Sequence, residues 1–337
     1  MIRRILVLLD GSAGAECVLT HVVRVARVFG SGVDLLSVIC SDESAGSGPS
    51  DPLAFRFAQS DRTGYLRRKQ AELRVHGIRT QIRIESGDPA EEAVALLQTG
   101  GYDLVALTSH GRGHRAHLRM GRTAMAVVLN ACTSFLLAPG DWVEAESLDD
   151  GTSEAPEGGW ILAPVDCSPR SDWTVSVAAA MARGLKSKVR LVHIVEKPKF
   201  LRRLPATKSV DLLVHRVMEE NRVVARKYVE DAVRRLRGEG ISAEGQLLEA
   251  SVSTADRLTD LATSEEPDLI VLGAHGQGGS PQWLFGGTAI KLIFRVQSPI
   301  LVLQDFRGPV DPSRVTFVAS RLAQPRRPQQ RRWDMPV

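Results

Sequence analysis

The chain contains two copies of one sequence pattern, and this internal repeat limits the folds that it can adopt. ILVLLDGS at residues 5–12 matches ILAPVDCS at residues 161–168, at an offset of 156 positions. DLVALTSHG at residues 103–111 matches DLIVLGAHG at residues 268–276, at an offset of 165 positions. Because the matches extend over most of each copy, the repeat predicts two similar domains in tandem.

The repeat also predicts the domain boundaries. A chain of 337 residues suits two domains of about 150 residues each, and we assign the first to residues 1–139 and the second to residues 160–305. Residues 140–159 contain seven acidic residues and no basic residue, which is typical of a solvated linker. Residues 306–337 are rich in Pro, Gln and Arg, and we expect them to form a basic, disordered tail.

Charge and composition exclude several classes of protein. The formal net charge is +4, and the segment from residue 319 onward alone carries five arginines and one aspartate. The rest of the chain is therefore neutral, unlike a nucleic-acid-binding domain, although contact between the tail and RNA or an acidic partner is an alternative. The longest apolar runs are far shorter than the roughly 20 residues of a membrane helix. The four cysteines show no metal or disulfide spacing, so we expect a cytoplasmic protein.

Short apolar strands alternate with helices in each copy. The predicted elements of the first copy are a strand at 2–9, a helix at 13–29, a strand at 33–39, a long polar helix ending near 75, a strand at 79–85, a helix at 89–99, a strand at 103–107, a helix from about 123 and a strand at 134–138. This alternation predicts an α/β fold of two tandem doubly wound, Rossmann-like domains, each with a five-stranded parallel sheet. Ligands of such sheets bind beyond the carboxyl ends of the strands. Asp10 and Asp166 directly follow strands, so we expect them at that end.

The segment at residues 271–289 contains six glycines directly after an apolar strand. We expect these glycines to adopt positive φ angles and to bring main-chain N–H groups close to a ligand. The loop leads into a helix that starts near Thr288, whose free N–H groups favour an anion. The pattern is typical of a phosphate-binding loop, and a plain strand-to-helix turn is the alternative.

Several common active-site motifs are missing from the chain. It has no G-x-x-x-x-G-K-[ST] segment, which excludes a P-loop, and GRGHRA at residues 111–116 follows the fourth strand rather than the first, so it does not fit a dinucleotide fingerprint. His110, His114 and His117 are interleaved with arginines that would repel a cation, so we expect no metal site. Because no nucleophile and base are arranged together, we expect no enzyme, or at most slow ATP hydrolysis.

The glycine-rich loop of the second copy resembles that of the universal stress protein family, and the chain as a whole resembles a tandem two-domain form of that family. The nucleotide-binding members carry G-x2-G-x9-G-[ST] after the fourth strand. In the second copy, Gly273, Gly276 and Gly286 fit this frame. Gly287 holds the Ser/Thr position, and Thr288 follows it.

The first copy fits the same frame less well. Gly111 and Gly121 have the correct spacing, but Thr108 holds the first glycine position and Arg122 holds the Ser/Thr position. If Thr108 must adopt a conformation that favours glycine, the strain is about 1–2 kcal/mol, or roughly a tenfold loss of affinity. Relaxation of Thr108 out of that conformation is the alternative. Arg122 would either pair with phosphates or fill their pocket. We therefore expect the second copy to hold the working site and the first to be weakened or repurposed.

The resemblance implies which residues contact an adenine nucleotide. In the family, the aspartate that ends the first strand contacts the adenosine portion, and a residue at the end of the second strand packs beside the adenine. Helix capping is the alternative role for the aspartates, and core packing is the alternative for the residues beside the adenine. The implied site residues are Pro164, Asp166, Ile194, Gly273, His275, Gly276, Gly286, Gly287 and Thr288 in the second copy, and Asp10, Val38, Gly111 and Gly121 in the first.

The resemblance further implies a stress-response regulatory protein that binds ATP, AMP or ADP, with or without Mg²⁺. The two domains are expected to pair within one chain through their last strands, as domains of this family usually do. A homodimer and an unidentified protein partner are further expectations. A nucleotide-free tandem scaffold that acts through protein–protein contacts is the alternative function.

Overall fold

The computed structural model describes residues 2–40, 52–111, 120–140, 159–197, 207–250, 253–276 and 284–304. The first half contains β1 (Arg4–Leu8), α1 (Ala13–Glu16), α2 (Val18–Phe29), β2 (Gly32–Ile39), α3 (Pro52–Val75), β3 (Thr80–Ser86), α4 (Pro89–Thr99), β4 (Leu104–Thr108), α5 (Arg122–Asn130) and β5 (Ser134–Ala138). The second half contains β6 (Trp160–Pro164), α6 (Pro169–Leu185), β7 (Lys188–Glu196), α7 (Lys208–Gly238), β8 (Ala243–Ala250), α8 (Thr254–Glu265), β9 (Leu269–Gly273), α9 (Gly287–Ile293) and β10 (Ile300–Leu303). Except for its two end residues, the predicted linker lies outside the described residues, as does the whole predicted tail.

The ten strands form a single sheet in the order β3-β2-β1-β4-β5-β10-β9-β6-β7-β8. Within each half all neighbouring strands are parallel. The halves meet where β5 and β10 pair in antiparallel fashion, with Phe135 opposite Val302. The predicted α/β fold with five parallel strands in each half is confirmed, and the predicted pairing through the last strands joins the two sheets into one.

The helices form where apolar residues recur at a spacing that places them on one side of the helix. In α2, Val18, Val22 and Val25 share a face and are fully buried, as their spacing predicts. The single helix predicted at residues 13–29 is divided into α1 and α2 by a turn at Cys17. Cys17 keeps helical dihedral angles (φ −54°, ψ −29°), so the main chain follows a helical path through the turn. In the described part of the chain, none of the helices has the length and apolar character needed to cross a membrane.

Two apolar cores, one on each face of the sheet, extend through both halves. Residues of α2, α3, α6 and α7 contribute to one core, and residues of α4, α5, α8 and α9 contribute to the other. The α2 and α6 helices come from different halves and pack against each other, and an added Cβ at Gly184 of α6 would collide with Val28 of α2. The two halves therefore share their packing as well as their sheet.

Candidate functional site

A pocket of about 730 Å³ lies at the carboxyl ends of β6, β7 and β9 in the second half. Side chains of α7, α8 and α9 complete its walls, among them Asn221, Thr254 and Lys291. The volume lies within the range of roughly 300–1,000 Å³ that is usual for small-ligand sites. All of the site residues implied for the second copy line this pocket: Pro164, Asp166, Ile194, Gly273, His275, Gly276, Gly286, Gly287 and Thr288.

Asp166 organises the turn between β6 and α6. Its Oδ1 atom accepts hydrogen bonds from the main-chain N–H of Ser168 at 3.0 Å and from the hydroxyl of Ser171 at 2.7 Å. Ser168, rather than Asp166, occupies the N-cap position of α6, and its hydroxyl does not bond to the helix. Asp166 is therefore not the N-cap residue of α6, although its carboxylate stabilises the start of that helix through Ser168 and Ser171.

At Gly276 of the loop, glycine is required by a close contact rather than by its dihedral angles. Neither Gly273, Gly276, Gly286 nor Gly287 has a positive φ, so the expectation of left-handed backbone at these positions is wrong. An added Cβ at Gly276 would collide with Oδ2 of Asp166. Glycine at this position allows the loop to lie directly against the aspartate. Residues 277–283 of the loop lie outside the described residues.

The start of α9 forms another wall of the pocket. Gly286 is the N-cap residue with extended backbone (φ −69°, ψ 158°), and no side chain caps the helix there. The N–H of Gly286 donates to the carbonyl oxygen of Ala274 at 2.8 Å, which fixes the loop end beside β9. An added Cβ at Gly287 would meet nothing within 4 Å. The main chain at the start of α9 is thus open to the pocket, with the ammonium-bearing side chain of Lys291 along the same wall.

A cysteine and a histidine that the sequence analysis did not select also line the pocket. The Nδ1 atom of His193 lies 2.9 Å from the carbonyl oxygen of Val165 and 3.5 Å from Sγ of Cys167. Because a carbonyl oxygen only accepts, Nδ1 carries the proton. Burial lowers the pKa of His193, and burial together with the nearby Asp166 raises the pKa of Cys167 to about 11. Near neutral pH both side chains are therefore uncharged.

Cys167 is one of three non-glycine residues with a positive φ in the described part of the chain, at 63°. The matching residue of the first copy is Gly11, which has a φ of 78°. The signal that sequence reasoning could have used is this exchange of glycine for cysteine within the matched segments DGS and DCS.

The implied residues of the first copy occupy equivalent places at the end of its sheet. Oδ1 of Asp10 accepts a hydrogen bond from the N–H of Ser12 at 2.9 Å, and an added Cβ at Gly111 would collide with Oδ2 of Asp10. The N–H of Gly121 donates to the carbonyl oxygen of Ser109 at 2.7 Å. Val38 packs against the core shared with α4 and α5. As in the second half, a serine holds the N-cap position after the aspartate, but the hydroxyl of Ser12, unlike that of Ser168, accepts a hydrogen bond from the helix, from the N–H of Ala15.

The structure overturns the strain predicted for Thr108. Its φ is not positive, and it is the last residue of β4, with its hydroxyl donating to the carbonyl oxygen of His110 at 2.8 Å. Gly273 holds the matching position in the second half and also lacks a positive φ. The position does not demand a glycine conformation, so threonine carries no backbone strain there.

A different residue distinguishes the two halves. Tyr65 of α3 and Tyr228 of α7 hold equivalent positions, since each phenol lies beside an acidic side chain of the first helix region of its own half. Three residues before these tyrosines the chain has Arg62 and Ala225. Ala225 lines the pocket of the second half, whereas the half-buried Arg62 donates a hydrogen bond to the carbonyl oxygen of Asp10. Arg122, which was expected to pair with phosphates or fill their pocket, has an exposed side chain.

No metal centre is evident in the part of the chain that the structure describes, since it brings together no group of three or more His, Cys, Asp or Glu side chains suited to hold an ion. Of the histidines in the H-x3-H-x2-H segment, only His110 is among the described residues. His114 and His117 lie outside them.

Comparison with known proteins places the chain among proteins of one family. The model of the family described as "Universal stress protein family" matches residues 1–139 and 160–304. A universal stress protein of Methanocaldococcus jannaschii is 27% identical over 145 residues, which are 43% of this chain and 81% of that protein.

The chain is also similar to two solved structures. A protein of Pseudomonas aeruginosa UCBPP-PA14, named as a universal stress protein, is similar over 95% of this chain and 98% of its own, with 18% identity and a TM-score of 0.61. A universal stress protein of Archaeoglobus fulgidus, whose structure is a complex with dAMP, is similar over 43% of this chain and 96% of its own, with 23% identity and a TM-score of 0.32. The first of these structures shows the fold of the whole chain.

Proposed function

The chain belongs to the universal stress protein family, and we propose that it is a stress-response regulatory protein that binds an adenine nucleotide, chiefly in its second half. One observation carries the proposal. Residues that the family resemblance selects from four separate places in the sequence line a single pocket of about 730 Å³ at the carboxyl ends of the strands.

The pocket offers a suitable surface for each part of the nucleotide. Ile194 is only 7% exposed and provides an apolar wall for the adenine ring. Asp166, at the end of β6, lies where a carboxylate would accept hydrogen bonds from the ribose hydroxyls. The glycine-bounded start of α9 and the positive charge of Lys291 face the space left for phosphates. If the ligand is ATP, Mg²⁺ would bind together with its phosphates.

Arg62 supports the second half as the principal site. In the first half the guanidinium group reaches the main chain of Asp10, the residue that would contact the adenosine portion. The equivalent Ala225 leaves that space open in the second half. A nucleotide in the first half would have to displace Arg62 from its hydrogen bond, which weakens binding there.

The proposed role is regulation rather than turnover. Cys167 and His193 are both uncharged near neutral pH, as their pKa shifts indicate, so the Cys167 thiol is not prepared as a thiolate nucleophile. We propose that ATP, AMP or ADP, bound in the cytoplasm, changes the surface that a protein partner meets. A nucleotide-free scaffold is the second candidate, which is favoured by the continuous sheet that fixes the two halves relative to each other.

Two substitutions in each half test the proposal. In the full chain we expect Gly276→Val and Gly286→Val to abolish ATP binding measured by calorimetry, because the first places a side chain against Asp166 and the second narrows the loop end. The matched controls are Gly111→Val and Gly121→Val, which make the same changes beside Asp10 and Ser109. Circular dichroism establishes that each variant is folded.

The amount of nucleotide bound to the purified protein distinguishes the two candidate functions. Protein purified without added nucleotide is denatured, and the released adenine nucleotide is quantified against protein. We expect the regulatory protein to release or bind one nucleotide per chain. Full ATP affinity in folded Gly276→Val and Gly286→Val variants, or no binding by the unaltered chain, would contradict the proposal and leave the scaffold.

A further inference from the structure

We propose that the first half of the chain positions residues 284–286, the described end of the glycine-rich loop in the second half, with Phe135 as the positioning residue. The inference rests on the proposed function, since it concerns how that pocket is held in shape. Phe135 belongs to β5 of the first half and lines no part of the pocket, so its effect on a ligand would act through another residue.

The first link is a contact between two aromatic rings. Phe285 immediately precedes Gly286 of the pocket wall. Its ring lies 5.8 Å from that of Phe135, centroid to centroid, at an interplanar angle of 82°. This is the edge-to-face arrangement that aromatic pairs prefer. Phe135 is fully buried at the centre of the joined sheet, so it gives Phe285 a fixed surface.

The second link is a pair of hydrogen bonds through Gln304, the residue that follows β10. Its side-chain Nε2 donates to the carbonyl oxygen of Leu284 at 2.9 Å. Its main-chain N–H donates to the hydroxyl of Ser134, at the start of β5, at 3.0 Å. The segment Leu284–Phe285 is therefore held from two sides, and both connections end on β5 of the first half.

These contacts tie the pocket to the junction of the halves. Gly286 follows the anchored segment and donates a hydrogen bond to Ala274, which follows β9, so the loop end is held between contacts at β9 and contacts at β5. A change at β5 would shift the wall that faces the phosphates and leave the wall at Ile194 in place. By linkage, a nucleotide that fixes this loop end also strengthens the pairing of β5 with β10.

The test separates the phosphate end from the adenosine end of the ligand. Phe135→Leu, Phe285→Leu and the double variant are made in the full chain, and the affinities for ATP and for adenosine are measured by competition against a fluorescent ATP analogue. We expect each single variant to bind ATP roughly three- to tenfold more weakly, the range for an aromatic pair. Adenosine affinity should stay unchanged, and the double variant should be no weaker than the weaker single variant.

A core substitution elsewhere in the first half is the control. Leu73→Ala removes a fully buried side chain of α3 and should leave both affinities unchanged in the folded protein. Should Phe135→Leu fail to fold, Gln304→Met removes the second link and should show the same selective loss of ATP affinity. Equal losses for ATP and adenosine, additive losses in the double variant, or no loss at all would overturn the inference. If the unaltered chain binds neither ligand, the proposed function itself fails.

Discussion

Cys167 shows how a single residue of the pocket adopts a conformation that its side chain disfavours. It has a φ of 63° between Asp166 and the N-cap residue of α6, where a non-glycine residue is strained by about 1–2 kcal/mol. The first half avoids that strain with Gly11. In the second half the thiol instead packs beside the His193 ring, with Sγ 3.5 Å from Nδ1, and the hydrogen bonds of Asp166 hold the turn. Strain of this kind persists where surrounding contacts fix the backbone.

Substitutions at Cys167 should reveal this strain. We expect Cys167→Val to reduce the free energy of unfolding by about 1–2 kcal/mol more than Cys167→Ala, because a β-branched side chain tolerates positive φ least. Urea denaturation of the two variants measures the difference. Ala serves as the matched control, since both changes remove the thiol. Equal stabilities would show that the turn relaxes out of the left-handed conformation.

At the scale of elements, one difference between the halves lies in the helices α3 and α7. In both loops the second glycine packs against an aspartate, and the N–H of the third glycine donates to the carbonyl oxygen of the residue that follows the preceding strand. The helices, however, present Arg62 in one half and Ala225 in the other. Arg62 therefore lies over the main chain of Asp10 at the end of β1, whereas no such side chain lies beside Asp166 from the matching position of α7.

Replacing that side chain should open a second site. We expect Arg62→Ala to raise the ATP stoichiometry from one to two per chain, with the new site as the weaker one, because the guanidinium group no longer covers the main chain of Asp10. Calorimetry on the full chain gives the stoichiometry. Arg67→Ala, an exposed arginine on the same helix, is the control and should bind a single nucleotide. A stoichiometry that stays at one in Arg62→Ala would show that other features close the first half.

Short-range patterns predicted the elements well, whereas contacts between distant segments escaped them. The helix Pro89–Thr99 begins and ends where Pro and Gly signals place it, and the strand ends bring the motif glycines to one pocket. The sequence could not predict that Arg62 reaches Asp10 or that Phe285 meets Phe135, because these pairs depend on how elements from different parts of the chain pack. The sequence also led to a wrong prediction of positive φ angles for the loop glycines, because a glycine required for close contact and a glycine required for positive φ look the same in a sequence.

At the scale of the whole molecule, the two halves act as one folded body in which no sheet edge remains at the junction. The β5 and β10 strands pair with each other, and α2 packs against α6 across the same boundary. Edges that pair inside one chain are unavailable to other molecules. Because the halves share a sheet and a helix contact at this boundary, we expect the chain to unfold in a single transition. A change in charge at the boundary should then change the free energy of unfolding of the whole protein.

His21 of α2 is the titratable group that best tests this view. It lines a small cavity of about 20 Å³ between the halves, together with Met181 and Leu185 of α6. Burial, with a smaller effect from Arg24, lowers its pKa from 6.5 to about 3. The unfolded chain binds a proton at this histidine below pH 6.5, whereas the folded protein does so only near pH 3. The free energy of unfolding should therefore fall on acidification across this interval, by up to about 1.4 kcal/mol per pH unit from this group.

The contribution of His21 is isolated by comparing how steeply the free energy of unfolding falls with pH in different variants. His21→Gln cannot take up the proton, so its free energy of unfolding, measured by urea denaturation between pH 7 and pH 4, should fall less steeply than that of the unaltered chain. Carboxylates and His193 contribute equally to both proteins, and His215→Gln, at an exposed position of α7, should keep the original slope. Should His21→Gln retain that slope as well, protonation of His21 would not oppose folding, and the junction between the halves would have to admit water to the imidazole.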